Sequence, residues 1–140
     1  MTNFLKFGVR ATAAALLALL AAACAAPGGM PSSEGETARA AVLARADGRG
    51  AALVHGDMDA AYAFLTEGSK SVITLENFKR RMTMVPFTAY RIDDASCAAE
   101  SCTVHAKLTY NHRLIKGVTT PITETWVRER GQFYFVFPPI

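Results

Sequence analysis

The 140-residue chain has no apolar run long enough to cross a bilayer as a helix. Its longest, residues 11 to 23, is 13 residues, where a span takes roughly 20. A strong excess of one charge is missing too. The 15 Lys and Arg stand against 12 Asp and Glu. Without Lys6 and Arg10, which belong to the leader described below, 13 stand against 12, a net charge of +1. Nucleic-acid binding needs a basic face and is not expected. Histidine and cysteine are scarce, three of each. His55, His105 and His112 share no metal-ligand spacing, and neither HExxH nor CxxC occurs. No serine stands in GxSxG, and no glycine-rich loop resembles a phosphate cradle. No metal, cofactor or catalytic residue is therefore expected.

What the N-terminus does have is a secretory leader in order. Lys6 and Arg10 form the positive region, the apolar run follows, and no acidic residue precedes Cys24. Leu20-Ala21-Ala22-Ala23-Cys24 resembles a bacterial lipoprotein signal, in which signal peptidase II cuts before a cysteine that carries lipid. The usual pattern has leucine where this chain has Ala21. The alternative is an ordinary signal-peptidase cut after Ala23 or Ala26. Cysteine parity favours the lipid. Cys97 and Cys102 sit close together as SCAAESC, and Cys24 is left over in an exported chain. Ala25 is not the Asp that marks inner-membrane retention, so the resemblance implies the outer membrane, facing the periplasm. The expected plan is a signal peptide over 1–23, a lipidated Cys24 with a flexible tether over 24–37, and one domain over 38–140. Two Pro and three Gly between residues 25 and 37 make that tether.

The alanine-rich stretch from Ala38 to Gly56 predicts a first helix, with Arg39, Arg45 and Arg49 mostly on its solvent side. Gly48 and Gly50 would kink it or break it early. Asp57 caps a short second helix, residues 66–71 form a loop, and Thr74 caps LENFKRRM. Lys79, Arg80 and Arg81 read as a solvated face, with contact to anionic lipid headgroups as the lesser alternative. After Pro86 the pattern alternates. FTAYRIDDA leads into a turn at Asp93-Asp94, CTVHAKLTYNH and VTTPITETWVRE follow, and Arg130-Gly131 turns into QFYFVFP. Pro121 must lie at an edge or a bulge. Helices first and a meander afterwards is an α+β order, with helices on one face of a curved antiparallel sheet. The last strand is apolar on both faces, which leaves room for a second subunit on the outer one. The SCAAESC pair reads as a structural disulfide across a short hairpin connection, contributing about 2 kcal/mol.

The stretch HGDMDAAYAFLTEGSKSVITLENFKRRM, with strands ending in TETWVRERGQFYFV, resembles the nuclear transport factor 2-like superfamily. The likeness is strongest to small proteobacterial envelope proteins and covers about residues 38 to 138. It implies a cone of three helices against a strongly bent sheet of about four strands. It also implies a pocket between the layers and homodimers through the sheet's outer face. Tyr62, Phe64, Tyr90, Tyr110, Trp126 and Phe135 are the candidates to line that pocket. The superfamily includes ketosteroid isomerases, SnoaL-like cyclases and limonene epoxide hydrolases, whose sites need acidic or tyrosine–acid combinations. No such group can be placed here residue by residue.

The expected function is a lipid-tethered envelope protein with a non-catalytic domain that binds a small apolar ligand or a partner protein. The alternative is a pocket enzyme of isomerase or hydrolase type. In that case Tyr62, Tyr90, Tyr110 or His105 would converge on a carboxylate such as Glu124. A carboxylate within about 3 Å of a tyrosine hydroxyl in an open pocket would favour the enzyme. A pocket filled by its own aromatics would leave only protein interaction.

Overall fold

A computed structural model describes residues 33–138 of the chain. The leader, Cys24 and the tether as far as residue 32 lie outside the described residues. Four helices precede a four-stranded antiparallel sheet: α1 (Ser33–His55), α2 (Met58–Ala63), α3 (Glu67–Val72), α4 (Leu75–Met82), β1 (Phe87–Ala98), β2 (Ser101–His112), β3 (Ile115–Glu129) and β4 (Gln132–Phe135). The strands lie in the order β1-β2-β3-β4 and the sheet does not close. The expected α+β class, with helices before a four-stranded antiparallel sheet, is observed.

Helix α1 starts five residues earlier than Ala38, at Ser33, so the tether does not extend to residue 37. Glu34 and Glu36 occupy its first turn, where acidic side chains suit the helix dipole. It runs unbroken through Gly48 and Gly50 to His55, and Gly56 (φ +74°) ends it. Gly50 stays because the Tyr90 ring passes directly over it. A Cβ at Gly50 would stand 2.0 Å from the Tyr90 Cδ1 atom. One face of α1 packs inward through Ala38, Val42, Ala46, Arg49 and Leu53.

Asp57 and Thr74 cap α2 and α4 as expected, each accepting a backbone N–H three residues on. Residues 67–72 are helical and not a loop. The Thr66 hydroxyl accepts from the Ser69 N–H at 3.0 Å and caps them.

The hairpin turn between β1 and β2 is Ala99-Glu100, not Asp93-Asp94. Both aspartates sit inside β1, beside a register shift at residues 92–94. Cations hold them there: Asp93 pairs with Lys107 at 2.8 Å and Asp94 with Arg39 at 2.9 Å. Cys97 faces Cys102 directly across the hairpin and the two are joined by a disulfide. Arg130 (φ +49°) and Gly131 (φ +81°) turn β3 into β4, the positive φ expected there.

Strand β4 pairs only with Trp126–Glu129 of β3. Pro121 therefore stands where β3 has a free edge and needs no N–H on that side. On its other side β4 meets Leu65 in an isolated bridge, with the Phe135 N–H donating to the Phe64 carbonyl at 2.8 Å. The core lies between the helices and the inner sheet face, around Val42, Leu65, Phe78, Val104, Trp126 and Phe133. The outer sheet face is polar, with Thr119, Thr123, Thr125 and His105 exposed.

Candidate functional site

Glu124 is placed by strand alternation. Ile122, Glu124 and Trp126 share the inward face of β3, and Glu124 is 2% exposed. Arg49 reaches it from the inward stripe of α1. Its Nη1 donates to Glu124 Oε1 at 2.7 Å, with the two side chains 5% and 3% exposed. The other carboxylate oxygen accepts from the Tyr90 hydroxyl at 3.1 Å and from Trp126 Nε1 at 3.0 Å. Three donors from three elements thus converge on one buried carboxylate. The Arg49 guanidinium also lies over the Phe135 ring, 3.8 Å from its centroid. Arg49 Nε is the single buried side-chain nitrogen or oxygen without a hydrogen-bond partner among the described residues.

This geometry keeps the Tyr90 hydroxyl protonated. Burial, and then the negative charge of Glu124, push its pKa well above the usual tyrosine range. Tyr90 is a donor here, not a base. Glu124 in turn has both oxygens engaged, Oε1 by the guanidinium and Oε2 by the two neutral donors, so taking up a proton would cost it the ion pair with Arg49.

Beside the pair lies a cleft of about 520 Å³. It is bounded by Ile122–Thr125 of β3, by Phe135–Pro138, by Arg81 and Met82 at the end of α4, and by Arg49 and Glu124. Arg81 lies over the Phe137 ring at 5.2 Å. Glu124 neutralises Arg49, and Arg81 has no ion pair among the described residues, so the cleft is apolar with one positive charge in excess. A second groove, of about 540 Å³, lies between Met82–Phe87 and the far end of the β2–β3 hairpin.

The six aromatic candidates part company. Tyr90, Trp126 and Phe135 gather around Arg49 and Glu124, and Phe135 alone of the three lines the cleft. Tyr110 lines the second groove and shares a 3.2 Å hydrogen bond with Thr120. Tyr62 donates to the Ile73 carbonyl at 2.9 Å and packs on Phe78. Phe64 carries the Arg45 guanidinium on its ring. Trp126 is 0% exposed and is core. His105 is exposed on the outer face against Thr123. Arg49 is the residue that sequence reasoning puts on the wrong side of its helix. The signal is present: 42, 46, 49 and 53 recur at helical spacing, and an arginine on that stripe needs a buried acid.

Among the described residues no group of three His, Cys, Asp or Glu is placed to hold a metal ion, and no helix is long and apolar enough to cross a membrane. No family model matches the chain, and no curated protein matches it. Solved structures do share its fold. One is a SEC-C motif-containing protein from Rhodopseudomonas palustris, 15% identical, covering 73% of this chain and 88% of that one with a TM-score of 0.55. Another is a SEC-C motif-containing protein from Psychrobacter arcticus, 10% identical, covering 66% of this chain and 56% of that one with a TM-score of 0.56. These neighbours overturn the resemblance to the nuclear transport factor 2-like superfamily, which rested on short fold markers in helices and strand ends. The chain shares its fold with SEC-C motif-containing proteins instead.

Proposed function

We propose that the chain is a lipid-tethered envelope protein whose folded domain binds a small apolar ligand carrying an acidic end group. Cys24 is the lipid site in this reading, and the ligand occupies the cleft beside Arg49. The observation that carries it is the cleft's composition. Met82, Ile122, Phe135, Val136 and Phe137 supply apolar wall, and Arg81 is a cleft cation with no ion pair among the described residues. Apolar clefts with a few fixed polar groups are the usual form of small-ligand sites. The non-catalytic reading is supported by the carboxylate–tyrosine contact, in which Tyr90 donates and Glu124 is held by Arg49.

An isomerase or hydrolase is the second reading, on the 3.1 Å contact between Tyr90 and Glu124. Catalysis there would need Glu124 to leave Arg49.

Native mass spectrometry of the protein taken from its own envelope tests the ligand. A co-purifying acid displaced by a long-chain fatty acid, and excluded by Ile122→Trp, is the expected result. An empty protein that takes up no fluorescent fatty-acid analogue would sink the reading. For the anchor, Cys24→Ser should abolish palmitate labelling and membrane fractionation. Unlabelled wild type would defeat that part alone.

A further inference from the structure

The turn that joins β2 to β3 is Arg113-Leu114, closed by the pair His112 and Ile115. Leu114 is 99% exposed and Ile115 62%. The second groove brings Ile115 beside Met84, itself 73% exposed, with Arg81 and His112 at its border. Ile115 and Met84 share that groove and Leu114 stands clear at the adjoining turn, so three large exposed apolar side chains mark this end of the molecule as a contact surface. The charge around them has one sign. Residues 77 to 92 and 107 to 123, which build this end of the molecule, contain no Asp or Glu. Arg80, Arg81, Arg113 and Lys116 lie in these segments, and none of them has an ion pair among the described residues.

We propose that this hairpin tip docks on an anionic phospholipid bilayer. Leu114 enters the acyl boundary, Ile115 and Met84 rest at the interface, and Arg113 and Lys116 meet lipid phosphates. The apex of a two-residue turn is convex, with no neighbouring side chains around Leu114 to complete a protein interface core. A deformable bilayer accepts such a point. A second copy does not fit, because a two-fold contact sets Arg113 and Lys116 against themselves.

The contact goes beyond the lipid anchor and does not depend on it. Helix α1 begins beside the Cys97–Cys102 hairpin, since Ser33 and Ala38 share a cleft with Cys97 and Glu100. Strand β2 then runs 12 residues to the tip, about 40 Å at strand rise. Two attachments at opposite ends would lay the domain along the membrane.

The test uses the full chain with Leu114→Trp, on vesicles of phosphatidylethanolamine with about one third phosphatidylglycerol, or of phosphatidylcholine alone. Bromine-labelled acyl chains report depth, and the wild type supplies the Trp126 background. Far-UV circular dichroism confirms that the variant folds. On the anionic vesicles, the expected result is blue-shifted emission quenched by the brominated chains. Adding Arg113→Gln and Lys116→Gln should lower partitioning of the tip more than tenfold, at roughly fivefold per cation. Vesicle-bound Leu114→Trp protein whose introduced indole stays open to iodide overturns the proposal. So does equal quenching in phosphatidylcholine, or concentration-dependent shielding of the tip without lipid, which would mean self-association.

Discussion

Arg49→Met and Glu124→Gln should each cost far more than an ordinary surface substitution, and the two together less than their sum. Arg49→Met leaves Glu124 buried with only the neutral donors of Tyr90 and Trp126. Breaking a buried ion pair from one side costs about 3–5 kcal/mol. The two remaining donors solvate the carboxylate, so about 3 kcal/mol is expected. Glu124→Gln keeps the shape but strands the Arg49 guanidinium. Its amide oxygen can face Arg49 or Trp126 Nε1, not both, and an indole cannot accept from the amide nitrogen. About 4 kcal/mol follows. The double variant buries no charge, and its cost should fall short of the summed singles by roughly 3 kcal/mol. Urea unfolding with the disulfide intact measures this, by far-UV circular dichroism alongside Trp126 fluorescence. At an m-value near 1.5 kcal/mol per molar, Arg49→Met moves the midpoint by about 2 M. Single variants costing under about 1 kcal/mol, or an additive double, would show that the pair does not organise this core.

Gly50→Ala should destabilise by about 2 kcal/mol, because its methyl meets the Tyr90 ring. In a Tyr90→Ala background the same change should stabilise by about 1 kcal/mol. Thermal melts that show one sign in both backgrounds would contradict the close approach. Tyr90 should stay protonated above pH ~10, where an unfolded tyrosine ionises. Its folded pKa is raised, so the stability it contributes is complete below pH ~10 and falls as pH rises beyond it. Tyr90→Phe should flatten that alkaline slope, and an unchanged slope counts against the buried hydroxyl. Joint replacement of Cys97 and Cys102 by Ser should cost about 2 kcal/mol, matched by reductant on the wild type. Intact mass without reductant showing two free thiols would dispose of the bridge.

Local chemistry makes much of the fold legible. Gly56, Asp57 and Thr74 punctuate the helices by backbone rules that need no tertiary context, and alternation from Val104 to Tyr110 marks β2. The spacing of SCAAESC places the disulfide. The misreadings have long-range causes. Gly50 looks like a helix breaker until Tyr90, 40 residues away, is set against it. Asp93 and Asp94 look like a turn because their cations, Lys107 and Arg39, come from other elements. Arg49 reads as solvated when judged by its own charge and not by its place on the inward stripe, and its partner lies 75 residues on. The candidate site is visible in sequence only in halves: an acid on an inward strand position and an arginine on an inward helix position.

The meander also sets an order of assembly. Each strand pairs with the next in sequence, so the hairpins can form locally and quickly as chain becomes available. Two closures cannot. Arg49 has no counter-charge until Glu124 arrives, and Leu65 has no strand to bridge until Phe135 does. A chain emerging N-terminus first would hold a bare cation until β3 docks and an open helical layer until its last strand does. The final dozen residues of the described domain therefore act as the latch of folding, and a truncation before Phe133 should leave a chain that chaperones and proteases still recognise as unfinished.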